Sequence, residues 1–170
     1  SQYSLWAKKT GRSPPQEVVT IHSAPELWWG TALEPVVRVA YQDLSGRPVV
    51  EGVTMMHCEG APVLFANTDG TIPGPIDGME GDGIYEGKAT VSAFDDPAAW
   101  RNGPPIWYWI QIQQYMACTG LKWASVCRFC PSSGTAVSYW DVPRHEEFIV
   151  DLRERATRWW DIHVVKDKPP

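Results

Sequence analysis

Apolar residues at Leu33, Val37, Ala40, Tyr41 and Leu44 recur at spacings of three and four, which predicts a helix with one buried stripe. Ser23-Ala24-Pro25-Glu26 reads as its capping box, with a proline in the first turn, and the helix runs to about Leu44. Pro35 lacks the backbone donor that would reach back to residue 31, so a kink is expected there. Short apolar runs between glycine and proline turns predict strands at 53–57, 63–68 and 84–89. Thr71–Asp82, rich in Gly, Pro and acid, predicts a flexible loop. Beyond a link at Asp95–Gly103, Pro104-Pro105 opens a second helix that ends at Gly120, a C′ glycine. Strands at Lys122–Arg128 and Ala136–Trp140 flank a Pro131–Gly134 turn, and a last helix fills 144–163. In that helix Phe148, Ile149, Leu152, Ala156, Trp159, Trp160 and His163 share one face. Residues 12–22, with Pro14-Pro15, read as a linker. The order α-β-β-β-α-β-β-α predicts an α/β fold (α+β, mixed sheet) in one domain spanning 1–170.

The 170 residues suffice for one sizeable core, and no apolar run approaches membrane length. The protein is expected to be soluble and cytoplasmic. A net charge of −5 argues against binding nucleic acid by overall attraction, although a basic groove can be local. Lys8, Lys9 and Arg12 cluster near the start and read either as phosphate contacts or as a solvated helix end. Cys127 and Cys130 have metal-ligand spacing, but Cys58 and Cys118 supply no second such pair, so free thiols are expected. The ten tryptophans could stack bases. Their spacing instead assigns most to the core, with Trp28, Trp107 and Trp123 on packed elements, and leaves Trp100, in a polar Pro-flanked stretch, as the ring expected to be exposed.

The chemistry is carried by acids. Asp69, then sixteen residues, then Glu86-Gly87-Lys88 form one group, and Glu34 lies upstream in Trp29-Gly30-Thr31-Ala32-Leu33-Glu34-Pro35. A strand places Glu86 and Lys88 on one face. Asp69 follows the run Val63–Thr68, so the two strands could pair with their acids side by side. Gly30, one turn before Glu34, would clear space near that carboxylate. Carboxylates suit Mg²⁺, which keeps much of its water, and a lysine beside a metal-activated water could orient it or steady developing charge. The same residues also read as ordinary turn acids and a solvated cross-face pair.

Five motifs in order bear on this choice. Tyr3-Ser4-Leu5-Trp6-Ala7-Lys8-Lys9-Thr10-Gly11, Trp29 to Pro35, Thr68-Asp69-Gly70, Tyr85 to Lys88, and Tyr108 to Gln113 resemble those of the YqaJ-like viral recombinases, relatives of phage lambda exonuclease in the PD-(D/E)xK nuclease superfamily. The resemblance implies a restriction-endonuclease-like core with Glu34, Asp69 and Glu86 as metal ligands, Lys88 as the catalytic lysine and Gln113 lining the site. Gln111 and Tyr115 match the RecB-type nuclease motif and join the possible DNA contacts. It further implies Mg²⁺ or Mn²⁺ as cofactor and digestion of linear duplex from its ends, 5′ to 3′, for recombination with a single-strand annealing protein. A homotrimer, phage or prophage origin and a bacterial host cell go with it, as does a family N-terminal segment ahead of Ser1. Two other readings are an endonuclease of the same chemistry and a nucleic-acid-binding module with a decayed site.

Overall fold

The structure, a computed structural model, describes every residue except 15–17, 19, 91–96 and 132–135. Parts of the expected linker, of the 95–103 link and of the Pro131–Gly134 turn lie outside the described residues. The chain opens with a helix absent from the element order above, α1 (Gln2–Lys9), which has Lys8 and Lys9 in its last turn and whose N-cap Ser1 accepts from the Ser4 amide at 3.2 Å. Helix α2 (Pro25–Ser45) follows and ends at Gly46, in the left-handed conformation at φ 71°. The capping box does not form. Ala24 is the N-cap, because the Ser23 hydroxyl is engaged backwards, accepting from the Thr20 amide and donating to the Val18 carbonyl at 3.0 Å each.

Strands β1 (Met56–Cys58) and β2 (Ala61–Ala66) form an antiparallel hairpin. A separate four-stranded sheet has the order β3 (Gly70–Ile72), β4 (Gly83–Ala89), β5 (Trp123–Phe129), β6 (Val137–Pro143). Only β4 and β5 are parallel, and the helix that joins them is α3 (Ile106–Thr119), capped by Gly120. The chain ends in α4 (Glu146–Trp159), which passes into a π-helical turn over Trp160–Val165. No helix among the described residues is long and apolar enough to cross a membrane.

Alternation along β4 and β5 builds two cores. Tyr85, Trp123 and Cys127 pack with Val37 and Tyr41 of α2. Ile84, Ala124 and Val126 face the other way, toward Ile112 and Met116 of α3 and Ile149 of α4. The face of α4 read from its spacing is the one that packs. All four cysteines are free thiols.

Two expectations about the region before β4 are corrected. The strand after residue 63 ends at Ala66 and pairs with β1 rather than with β4. Thr71–Asp82 is not a free loop: β3 begins it, Trp123 Nε1 donates to the Gly81 carbonyl at 3.3 Å, and Asp77 holds Arg47. Arg47 is buried against the Trp123 and Tyr139 rings and is bidentate to Asp141 at 2.7 and 2.9 Å. The tryptophans also need revision. Trp100 is 3 % exposed, in a 3-10 turn (Pro97–Trp100), with its ring 5.4 Å from both Tyr108 and Trp140. Trp107 is 58 % exposed and Trp28 also faces out, because each lies on the side of its helix away from the sheet.

Candidate active site

The two-residue period of β4 sends Tyr85 toward α2, where its ring lies 4.9 Å from Tyr41, and sends Glu86 and Lys88 toward α3. Gly87 lies between them. A Cβ at this position would come 2.8 Å from the Tyr85 hydroxyl and 3.2 Å from Val37 Cγ1, so the glycine lets α2 lie against the strand.

Glu86 is 2 % exposed. Its Oε1 accepts from Lys88 Nζ at 2.6 Å and from Gln111 Nε2 at 2.9 Å, and Gln111 also reaches the Tyr115 hydroxyl at 2.7 Å. Oε2 is buried with no hydrogen-bond partner among the described residues. Asp69 immediately precedes β3. Because Gly70 pairs with Tyr85, the register sets Asp69 opposite Glu86, and Asp69 Oδ2 accepts from the Gly87 amide at 2.9 Å. Thus the acids do stand side by side, but with Asp69 just ahead of β3 and Glu86 on β4. Arg38, on α2, donates from Nη2 to the Asp69 carbonyl at 2.5 Å. Glu34, one turn before Arg38, is exposed and interacts electrostatically with Asp69, Arg38 and Lys88.

Burial pushes the Glu86 carboxyl up to about 7, with Lys88 opposing the shift and the Asp69 charge adding to it. Asp69 is raised by burial against the Gly87 hydrogen bond and the nearby cations, and Glu34 by partial burial and Asp69. Burial works against the Lys88 ammonium, but the Glu86 carboxylate outweighs it and the lysine is raised.

Glu34, Asp69, Glu86, Lys88, Gln111 and Tyr115 therefore share one region. Gln113 does not. It is fully buried and pointed away, its Nε2 donating to the Pro143 carbonyl and its Oε1 accepting from the His145 amide, both at 2.9 Å. Two positions along a helix turn a side chain by about 200°, so Gln111 and Gln113 cannot serve the same face. Lys8 is exposed on α1, Lys9 lies 5.8 Å from the Trp160 ring, and Arg12 pairs with Asp167 at 2.6 Å. Gly30 was not needed for clearance, since a Cβ there would meet nothing within 4 Å. Arg38 was missed, and Tyr108, whose ring lies 4.9 Å from Lys88 Nζ, was quoted within a motif but given no place in the site. Each stood one helical turn from a residue already singled out, Glu34 and Gln111 respectively, and that spacing was the available signal.

Among the described residues no three His, Cys, Asp or Glu side chains form a ready-made metal cage. The donor set nevertheless fits a hard cation: two opposed carboxylates, one with an orphaned buried oxygen, and a third acid in electrostatic range. Mg²⁺ needs only one or two such groups besides water.

Two solved structures with the same PD-(D/E)xK-type fold are the alkaline exonuclease LHK-Exo from Laribacter hongkongensis and a phage-related exonuclease from Haemophilus somnus 129PT. The first superposes with a TM-score of 0.73 at 20% identity, covering 97% of this chain and 78% of that one. The second gives 0.66 at 13%, covering 98% and 82%. LHK-Exo has also been solved in complex with dAMP, at a TM-score of 0.64 and 17% identity over 96% of this chain and 87% of that one. No curated protein matches the chain. Residues 1–122, which hold Glu34, Asp69, Glu86, Lys88 and Gln111, match the model of the YqaJ-like viral recombinase domain, and the chain belongs to that family.

Proposed function

We propose that this protein is a divalent-metal-dependent deoxyribonuclease that digests linear double-stranded DNA from its ends. The observation that carries the reading is the buried Glu86–Lys88 pair at 2.6 Å, with Asp69 fastened opposite by the Gly87 amide. Asp69 and Glu86, with Glu34 at the rim, would hold Mg²⁺ or Mn²⁺. When bound, the metal lowers the pKa of an attacking water and shields the phosphate. Lys88 orients that water and steadies the charge that develops on phosphorus oxygens. Gln111 keeps Glu86 aimed by occupying part of Oε1, and Arg38 fixes the backbone of Asp69. The exonuclease names of the structural relatives support stepwise cleavage, and dAMP is the kind of unit that such cleavage releases.

The resemblance to phage lambda exonuclease supports finer points: 5′ to 3′ polarity, a single-strand annealing partner, and a ring of three subunits. A ring would suit a chain of net charge −5, since enclosure holds DNA without strong overall attraction. The test is incubation of linear and closed circular duplex with Mg²⁺ or Ca²⁺. Linear DNA is degraded in Mg²⁺, circles survive, and Ca²⁺, with longer and looser coordination, supports binding without turnover. Cutting of circles would establish the endonuclease reading instead. Binding without cleavage in Mg²⁺ and Mn²⁺ would establish a binding module with a decayed site. Light scattering of the purified protein reads the trimer.

A further inference from the structure

Lys88 has a second neighbour besides Glu86. Its Nζ lies 4.9 Å from the centre of the Tyr108 ring, over the face. Tyr108 precedes Gln111 by three residues on α3, so one helix supplies both the amide that holds Glu86 and the ring under the lysine. The ring has aromatic neighbours. Trp100 lies 5.4 Å from it at 36°, Trp140 lies 5.4 Å from Trp100 at 31°, and the Arg128 guanidinium sits 5.7 Å from the Trp100 ring. Arg128 is also the register partner of Lys88 on β5. The two cations of adjacent strands therefore each lie over a ring of one aromatic cluster that is packed into the α3-side core.

A lysine ammonium is a compact charge on a flexible four-carbon stem. One carboxylate oxygen at 2.6 Å fixes how far the charge sits from Glu86 but leaves its direction open. A ring face adds the missing constraint, since its negative quadrupole attracts a cation placed over it. We infer that Tyr108 is a positioning residue for Lys88, its ring face holding the ammonium at the site independently of the hydrogen bond to Glu86. The kinetic consequence rests on the nuclease reading above; the placement itself does not.

The test compares Tyr108→Phe and Tyr108→Leu in the full chain. In protein carrying lysine labelled with ¹³C at Cε, the Lys88 methylene lies over a ring and its proton signal moves upfield, assigned by its disappearance in Lys88→Ala. The upfield position is expected in the parent protein and in the Phe variant, and is lost in the Leu variant. In steady-state cleavage of linear duplex, the Leu variant loses about tenfold or more in kcat with KM nearly unchanged, and Phe restores it. A Lys88 signal at the ordinary lysine position in the parent overturns the seat. Equal losses in Phe and Leu overturn the role of the ring and assign the effect to the hydroxyl, and full activity in Leu overturns positioning. An upfield signal in a parent protein that cuts no DNA supports the seat and overturns the nuclease reading.

Discussion

Loading the carboxylate cluster with Mg²⁺ should expel a proton, and the amount is set by Glu86. Its carboxyl is pushed up to about 7 from an ordinary 4.5, mainly by burial. At pH 6 the group is then about 0.9 protonated in the metal-free protein, and at pH 8 about 0.1. A carboxyl with its ordinary value would be about 0.03 protonated at pH 6, so the two cases differ by more than an order of magnitude. Asp69 and Glu34 are raised as well and can only add to the release. Affinity should fall tenfold per pH unit below 7, so binding at pH 5 is weaker than at pH 8 by about a hundredfold. The assay is titration calorimetry of the protein with Mn²⁺ in buffers of different ionisation enthalpy, where the slope of heat against that enthalpy counts protons. A slope near zero at pH 6 would refute the placement of Glu86 as a buried metal ligand. Glu86→Gln removes the main titrating group and should cut the slope to what Asp69 and Glu34 contribute, with loss of most of the affinity.

Other outcomes follow from the same geometry. Lys88→Ala should lower cleavage on the order of a hundredfold while Mn²⁺ heats persist; near-full activity would move the site elsewhere. Gln111→Ala should lower kcat, whereas Gln113→Ala should leave kcat within about threefold and cost about 1–3 kcal/mol in urea denaturation, because it empties a fully buried position and removes two hydrogen bonds to the Pro143 and His145 backbone. Gly87→Ala should cost about 1–3 kcal/mol by forcing Tyr85 and Val37 apart, read as a lower midpoint in the same denaturation. The metal-free protein should lose stability as pH rises. The folded-state value of Glu86 is raised, so its contribution is complete below 4.5 and is lost as pH passes through about 7, and melting temperatures across that window would register it.

Helices α2, α3 and α4 were legible because their signals are local, whereas the short α1 was not assigned. Leu33, Val37 and Tyr41 mark the packed stripe of α2 by spacing alone, although Leu44, expected in it, is exposed, and Gly120 ends α3 where expected. Glu86 and Lys88 were placed on one face by a rule with a two-residue period. Other features depend on distant partners and left no such mark. Strand β3 is three residues long, begins with glycine, and exists because β4 pairs with it. Trp100 looked exposed beside Pro97 and Arg101, but Tyr108 and Trp140 enclose it from elsewhere in the chain. The choice between Gln111 and Gln113 turned on which side of α3 faces β4. Apolar spacing in α3 could not decide it, because aromatic and aliphatic residues occur all round the helix.

The clamped segment after Asp69 has a bearing on how a partner would be received. A truly flexible stretch of this length must be ordered when a large polyanion settles beside it, at about 1–2 kcal/mol of backbone entropy per residue fixed. Here Asp77 on Arg47, Gly81 on Trp123 and the Asp82 carboxylate on the Gly74 amide at 2.9 Å complete that ordering during folding. Under the proposed function, the edge of the sheet that presents Asp69 would meet an incoming duplex as a stiff rim, and association there should proceed with little rearrangement of this part of the backbone.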